Sequence, residues 1–184
     1  MADAKRNRRS HLNSFQPDLN GDYVYTGPLY HYAGTAPFRG AVKAMGVWSC
    51  LLGAAVLATG FIEAPAMLNC FYVILPFLGE VICVALTIWS VCRIAHHGDT
   101  LREYVYQRSV ERLVPCLSLT FGFAGAGLLG NLVFVLSHGF LGKALATLAV
   151  FALKFAVIAA AQMLLRHVRT MSWRCGEANA PSGE

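Results

Sequence analysis

The chain has 184 residues, 56% of them hydrophobic and only 14% charged, with a mean hydropathy of +0.50. A soluble domain carries about a quarter charged residues, so this composition excludes a soluble core of ordinary kind. The net charge of +5 and pI near 9.0 would suit nucleic acid. However, the bases flank apolar runs and form no stripe with interleaved aromatics, which argues against nucleic acid as a partner.

Residues 1–37 are polar. Lys5, Arg6, Arg8 and Arg9 make a basic start, but no apolar run follows directly, so this is not the pattern of a signal peptide. The segment reads as a disordered, basic, tyrosine-rich cytoplasmic tail, drawn to anionic headgroups. Within DYVYTGPLYHY, Tyr23, Tyr25, Tyr30 and Tyr32 alternate about a Gly27-Pro28 turn signal. That is the pattern of a short hairpin, or of an extended segment with its aromatics on one side. Tyrosines favour the membrane interface, so it is expected to rest against headgroups or helix ends.

Residues 38–166 form the membrane domain, with four spans over about 41–62, 71–94, 113–137 and 144–165. The first ends at Glu63-Ala64-Pro65, because the residue before a proline avoids the helical region. It carries a small-residue ladder, Gly46, Cys50, Ala54 and Ala58. Such ladders let helix backbones approach closely in lipid. The second span has Pro76 one turn before Glu80. The proline frees a backbone carbonyl, which a spanning helix tolerates only against protein or trapped water. In the loop that follows, Gly98 is a helix stop, and Thr100 with Glu103 fits a capping box opening a helix at Leu101, with a bend expected at Pro115.

The third span carries two ladders, Ser118-Gly122-Ala126-Gly130 and Thr120-Ala124-Gly127-Asn131. Two smooth faces predict packing on two sides, and Asn131 needs a hydrogen-bond partner at depth, most simply a neighbouring helix. The fourth span presents Ala149, Ala152, Ala156 and Ala159 on one face and Lys154 nearly opposite. Residues 167–184 read as a short cytoplasmic tail, disordered beyond Trp173.

The lysines and arginines set the orientation. Arg39 and Lys43 stand at the start of span one; Arg93 ends span two, and Arg102, Arg108 and Arg112 lie in the loop between spans two and three; Arg166, Arg169 and Arg174 follow span four. The other two loops hold only Lys143. The positive-inside rule then places both termini in the cytoplasm, with the helices as two antiparallel hairpins. The predicted fold class is thus an all-α integral membrane protein of four transmembrane helices.

Glu80 and Lys154 are the two charges placed deep in lipid. Glu80 is nine residues beyond Phe71 and Lys154 ten beyond Ala144. At about 1.5 Å per residue both lie roughly 13–15 Å below the same surface, near the midplane. Each alone would cost about 2.5–3.5 kcal/mol at a helix centre, so a matched ion pair or a shared wet cavity is expected. Glu80, Lys154, Asn131 and Pro76 are therefore the candidate intramembrane site.

The six cysteines form no CxxC pair, and no cofactor or metal site is implied. His96, His97 and His167 fall at the same predicted membrane surface and read as interfacial residues. No nucleophile motif or His-acid cluster supports an enzyme. The expectation is a non-enzymatic accessory or scaffolding membrane subunit, partnered by the bilayer and by further copies of itself or another membrane protein. The alternative is a small oligomeric transporter with Glu80 and Lys154 on its path.

Overall fold

The computed structural model describes residues 15–17, 23–25, 27–140 and 142–176. Residues 1–14 and 177–184, for which disorder is the sequence expectation, lie outside these. The chain runs β1 (Phe15–Pro17), β2 (Tyr23–Tyr25), β3 (Leu29–Tyr32), α1 (Phe38–Phe61), α2 (Pro65–Asn69) and α3 (Phe71–His97). It continues through β4 (Thr100–Arg102), α4 (Glu103–His138), α5 (Ala144–Thr170) and β5 (Trp173–Gly176).

Four of these helices are long and apolar enough to cross a membrane: α1 with 24 residues, α3 with 27, α4 with 36 and α5 with 27. At about 1.5 Å per residue, even the shortest exceeds a hydrocarbon core of about 30 Å. Their outward faces carry large apolar side chains, among them Phe61, Trp89, Leu136 and Leu145, each more than 70% exposed. Water does not tolerate so much continuous apolar surface, whereas lipid does.

The long helices pack in a closed ring: α1 lies against α3 and α5, and α4 against α3 and α5. In this ring α3 and α5 stand diagonally. The core between them is built from Met45, Leu52 and Val56 of α1, Val84 and Val91 of α3, Leu117 and Ala124 of α4, and Val157 and Leu164 of α5. Of the two ladders on α4, Thr120-Ala124-Gly127-Asn131 is buried. The other does not match the expectation of packing on both sides. Ser118, Gly122 and Ala126 are exposed, and only Gly130 is buried.

α4 is not regular throughout. Gln107–Glu111 forms a π turn before the helix continues from Arg112. Pro115 has no N–H to offer the carbonyl of Glu111, and the wide turn ends at that residue. α1 stops at Phe61 and Pro65 opens the short α2 at its first position, where a missing N–H costs nothing.

The strands amend the all-helical expectation. β3 is the centre of a three-stranded antiparallel sheet, with β4 on one side and β5 on the other. It pairs Tyr30 with both Leu101 and Cys175. The sheet gathers the segment before α1, the α3–α4 connection and the segment after α5 at one end of the helices. Aromatic side chains hold it there. Tyr30 stacks on Tyr106 at 4.1 Å between centroids, while Trp173 meets Tyr32, Phe38 and Tyr106 edge-on at 5.6–6.3 Å.

Three local expectations are corrected here. The Gly27-Pro28 turn does not close a hairpin, because β2 pairs with β1 while β3 joins β4 and β5. The segment beyond Trp173 is ordered as far as Gly176, since β3 supplies its ladder. The Thr100 capping box is absent. Thr100 is spent on strand β4, where its hydroxyl lies 3.3 Å from His31 Nδ1. The helix opens at Glu103 instead, whose free N–H donates to the Tyr25 hydroxyl at 3.3 Å. A side chain from far upstream thus takes the part of the cap.

Candidate functional site at the centre of the helices

α3 turns Val73, Glu80, Val84 and Thr87 inward, and α5 turns Thr147, Val150, Lys154, Val157 and Ala161 inward. Spacings of three, four and seven keep such residues on one helical face. Glu80 is 0% exposed and Lys154 1%. The Lys154 ammonium donates to Glu80 Oε2, forming an ion pair sealed from solvent.

The two helices are diagonal, so this contact needs reach and room. The lysine stem supplies the reach. Gly127 of α4 supplies the room: a Cβ there would lie 3.5 Å from Lys154 Cε and 3.6 Å from Nζ. The lysine thus passes over a backbone with no side chain to block it. Its ammonium lies 5.2 Å from the centroid of the Phe77 ring, one turn before Glu80, so the charge also meets a π face. Glu80 Oε1 has no hydrogen-bond partner among the described residues.

Pro76 leaves α3 unbroken. It removes the N–H that would bond the Tyr72 carbonyl, and α4 comes up to that carbonyl at Gly130. A Cβ at Gly130 would sit 3.3 Å from the Tyr72 oxygen and 3.1 Å from Val73 Cγ2. Pro76 and Gly130 are therefore two halves of one close helix contact, beside the ion pair and not part of it. Asn131 is also buried, at 1% exposure. Its Nδ2 donates to the Gly127 carbonyl at 2.8 Å, within its own helix, so the expected partner on a neighbouring helix is replaced by one a turn back. Its Oδ1 has no partner among the described residues.

Glu80 and Lys154 are thus brought together, while Pro76 and Asn131 flank them. Gly127 and Phe77, which complete the surroundings of the ammonium, were missed as site residues. The signal for Gly127 was its place on the ladder with polar ends; that for Phe77 was its position three residues before Glu80.

Elsewhere, Lys143 and Glu63 form an exposed ion pair at 3.3 Å between the two connections at the end opposite the sheet. His167 Nε2 lies 3.2 Å from the Ala41 carbonyl, and His97 Nδ1 lies 2.9 Å from that of Arg93. Among the described residues no group of three or more His, Cys, Asp or Glu is placed to hold a metal.

Four apolar helices enclosing a sealed charge pair are consistent with a multipass membrane protein. No family model, curated protein or solved structure matches the chain.

Proposed function

We propose that the protein is a non-enzymatic accessory or scaffolding subunit of the cytoplasmic membrane, a four-helix bundle of two antiparallel hairpins with both termini in the cytoplasm. The observation that carries this reading is the closure of the Glu80–Lys154 pair: both groups are 0–1% exposed, and Lys154 pairs with Glu80 Oε2 across the helices. A residue that loads a substrate needs a route to it, whereas a pair that fixes which helices pack needs only its partner. The outward strip Ser118-Gly122-Ala126 supports a partner within the membrane, either a further copy or another membrane protein.

Orientation rests on charge. Arg39, Lys43, Arg93, Arg102, Arg108, Arg112, Arg166, Arg169 and Arg174 all belong to the end that carries the sheet. The positive-inside rule makes that end cytoplasmic. Cysteine labelling should find Asp99 inside and Asn69 and Gly142 outside; the reverse would overturn the assignment.

A transporter is the second reading, favoured by Glu80 Oε1, a buried acceptor with no partner among the described residues. One experiment separates the two. The double variant Glu80→Gln with Lys154→Met is placed in a deletion strain, and the phenotype and the intermolecular cross-links from a cysteine at Gly122 are compared with wild type. A scaffold retains both. A transporter retains the fold and the cross-links but loses the phenotype.

A further inference from the structure

We infer that Arg93, Arg108 and Tyr104 form a headgroup site for one anionic phospholipid at the sheet-bearing end of the helices. This goes beyond the scaffolding reading and needs only that the helices stand in a bilayer.

Arg93 closes the apolar run of α3, and Arg108 lies in the π turn of α4. Both guanidinium groups stand on one phenol. The Arg93 Cζ is 5.4 Å from the centre of the Tyr104 ring and that of Arg108 is 4.8 Å from it, so the two cations lie within about 10 Å of each other. Arg108 Nη1 also donates to the Tyr104 hydroxyl at 2.8 Å.

Among the described residues no ion pair offsets the charge gathered there. The described residues hold two ion pairs, Lys143–Glu63 and Lys154–Glu80, and neither Arg93 nor Arg108 belongs to them. The nearest acid in sequence to Tyr104 is Glu103, which accepts from Gln107 at 3.3 Å. Glu111, three residues beyond Arg108, makes no ion pair with it.

Position and chemistry name the ligand. Arg93 is partly buried and Arg108 exposed, at the boundary where the apolar stretch of α3 gives way to polar chain. Lipid phosphates lie at that level, and tyrosine favours it. A planar guanidinium presents two N–H groups to two phosphate oxygens at once, and the hydrogen bond from Arg108 to the Tyr104 hydroxyl restricts where that group can turn. The π turn sets Arg108 out of ordinary helical register, and such single wide turns are frequent at functional sites. A phosphodiester held by both guanidinium groups would offset one of their two positive charges while its acyl chains run down the outer faces of α3 and α4.

The test uses the whole protein in nanodiscs of phosphatidylcholine with increasing phosphatidylglycerol, and native mass spectrometry counts the lipid retained. Wild type should keep phosphatidylglycerol in preference to phosphatidylcholine. R93Q and R108Q should each lower that affinity at least about tenfold, the size of a lost charge-assisted contact. R108K and Y104L should lower it several-fold with no change in charge, because one loses the planar fork and the other its platform. R169Q, at the same end but away from the ring, should cost no more than the about fivefold of diffuse attraction. Should R93Q fail to fold, R93K carries the same reading as R108K.

Three results would overturn the site. Equal losses for R93Q, R108Q and R169Q would mean diffuse attraction only. Unchanged affinity in both R108K and Y104L would mean the ring arrangement is irrelevant. Displacement of phosphatidylglycerol by excess inorganic phosphate would mean a small-anion site and no lipid.

Discussion

The centre of the helices and the sheet at their end solve opposite problems. At the centre, Glu80 and Lys154 lie in an apolar interior where each charge needs the other, and a single contact carries a large energy. At the end, β3, β4 and β5 lie beyond the apolar helices and hold no buried ion pair among the described residues. There the order comes from many small terms: ladder hydrogen bonds, the Tyr30–Tyr106 stack and the edge-on contacts of Trp173. One change at the centre should therefore weaken the whole fold, and one change at the end should loosen only its surroundings.

The sharpest way to break that contrast is at the pair. Glu80→Gln or Lys154→Met alone should cost about 3–5 kcal/mol, the price of a buried charge without its partner. The double variant should recover most of the loss. Unfolding in detergent of wild type, both singles and the double closes the cycle. Coupling below about 0.5 kcal/mol would mean that the two residues act independently.

Gly127 comes next. Gly127→Leu fills the space through which Lys154 crosses to Glu80 and should cost about 1–3 kcal/mol by overpacking. Gly127→Ala should be tolerated, because its Cβ meets Lys154 only at ordinary contact distance and alanine favours the helix by about 1 kcal/mol. Equal destabilisation by both would show that the lysine does not cross at Gly127.

At the end of the helices, Trp173→Ala removes three aromatic contacts, each worth about 0.5–1.5 kcal/mol beyond burial. The loss should be local. Hydrogen exchange should quicken at residues 29–32 and 173–176 while the midpoint of global unfolding moves little. A global shift as large as that of Lys154→Met would erase the contrast between the two regions.

Thr100→Ala should have the smallest effect, at most about 0.5 kcal/mol, since it removes one exposed 3.3 Å contact to His31. Hydrogen exchange at residues 101–105 should not change. Faster exchange there would restore the capping box.

These regions also differ in how far they could be read in advance. Long apolar runs and two lone charges of opposite sign stand out in any sequence, because hydrocarbon penalises every exception. The four apolar helices and the pairing of Glu80 with Lys154 followed from that penalty, whereas of the small-residue ladders on α4 only Thr120-Ala124-Gly127-Asn131 is buried. The sheet did not, because its strands are three or four residues each and come from positions 29–32, 100–102 and 173–176. Pieces that short carry no periodicity strong enough to recognise, and each is a strand only because the other two are present.

Local chemistry likewise set the start of α2, through Pro65, and the stop of α3 at Gly98, whose φ of 82° suits glycine. Local chemistry could not decide between Thr100 as cap and Thr100 as strand. Both are open to a threonine before a helix, and His31 and Tyr25 brought from far upstream settled the choice. The same holds at the centre. That Glu80 and Lys154 could meet was a matter of depth along each helix, which residue counting supplies. That they meet across a diagonal, over Gly127 and against Phe77, depends on how four helices share one interior, and only their packing sets that.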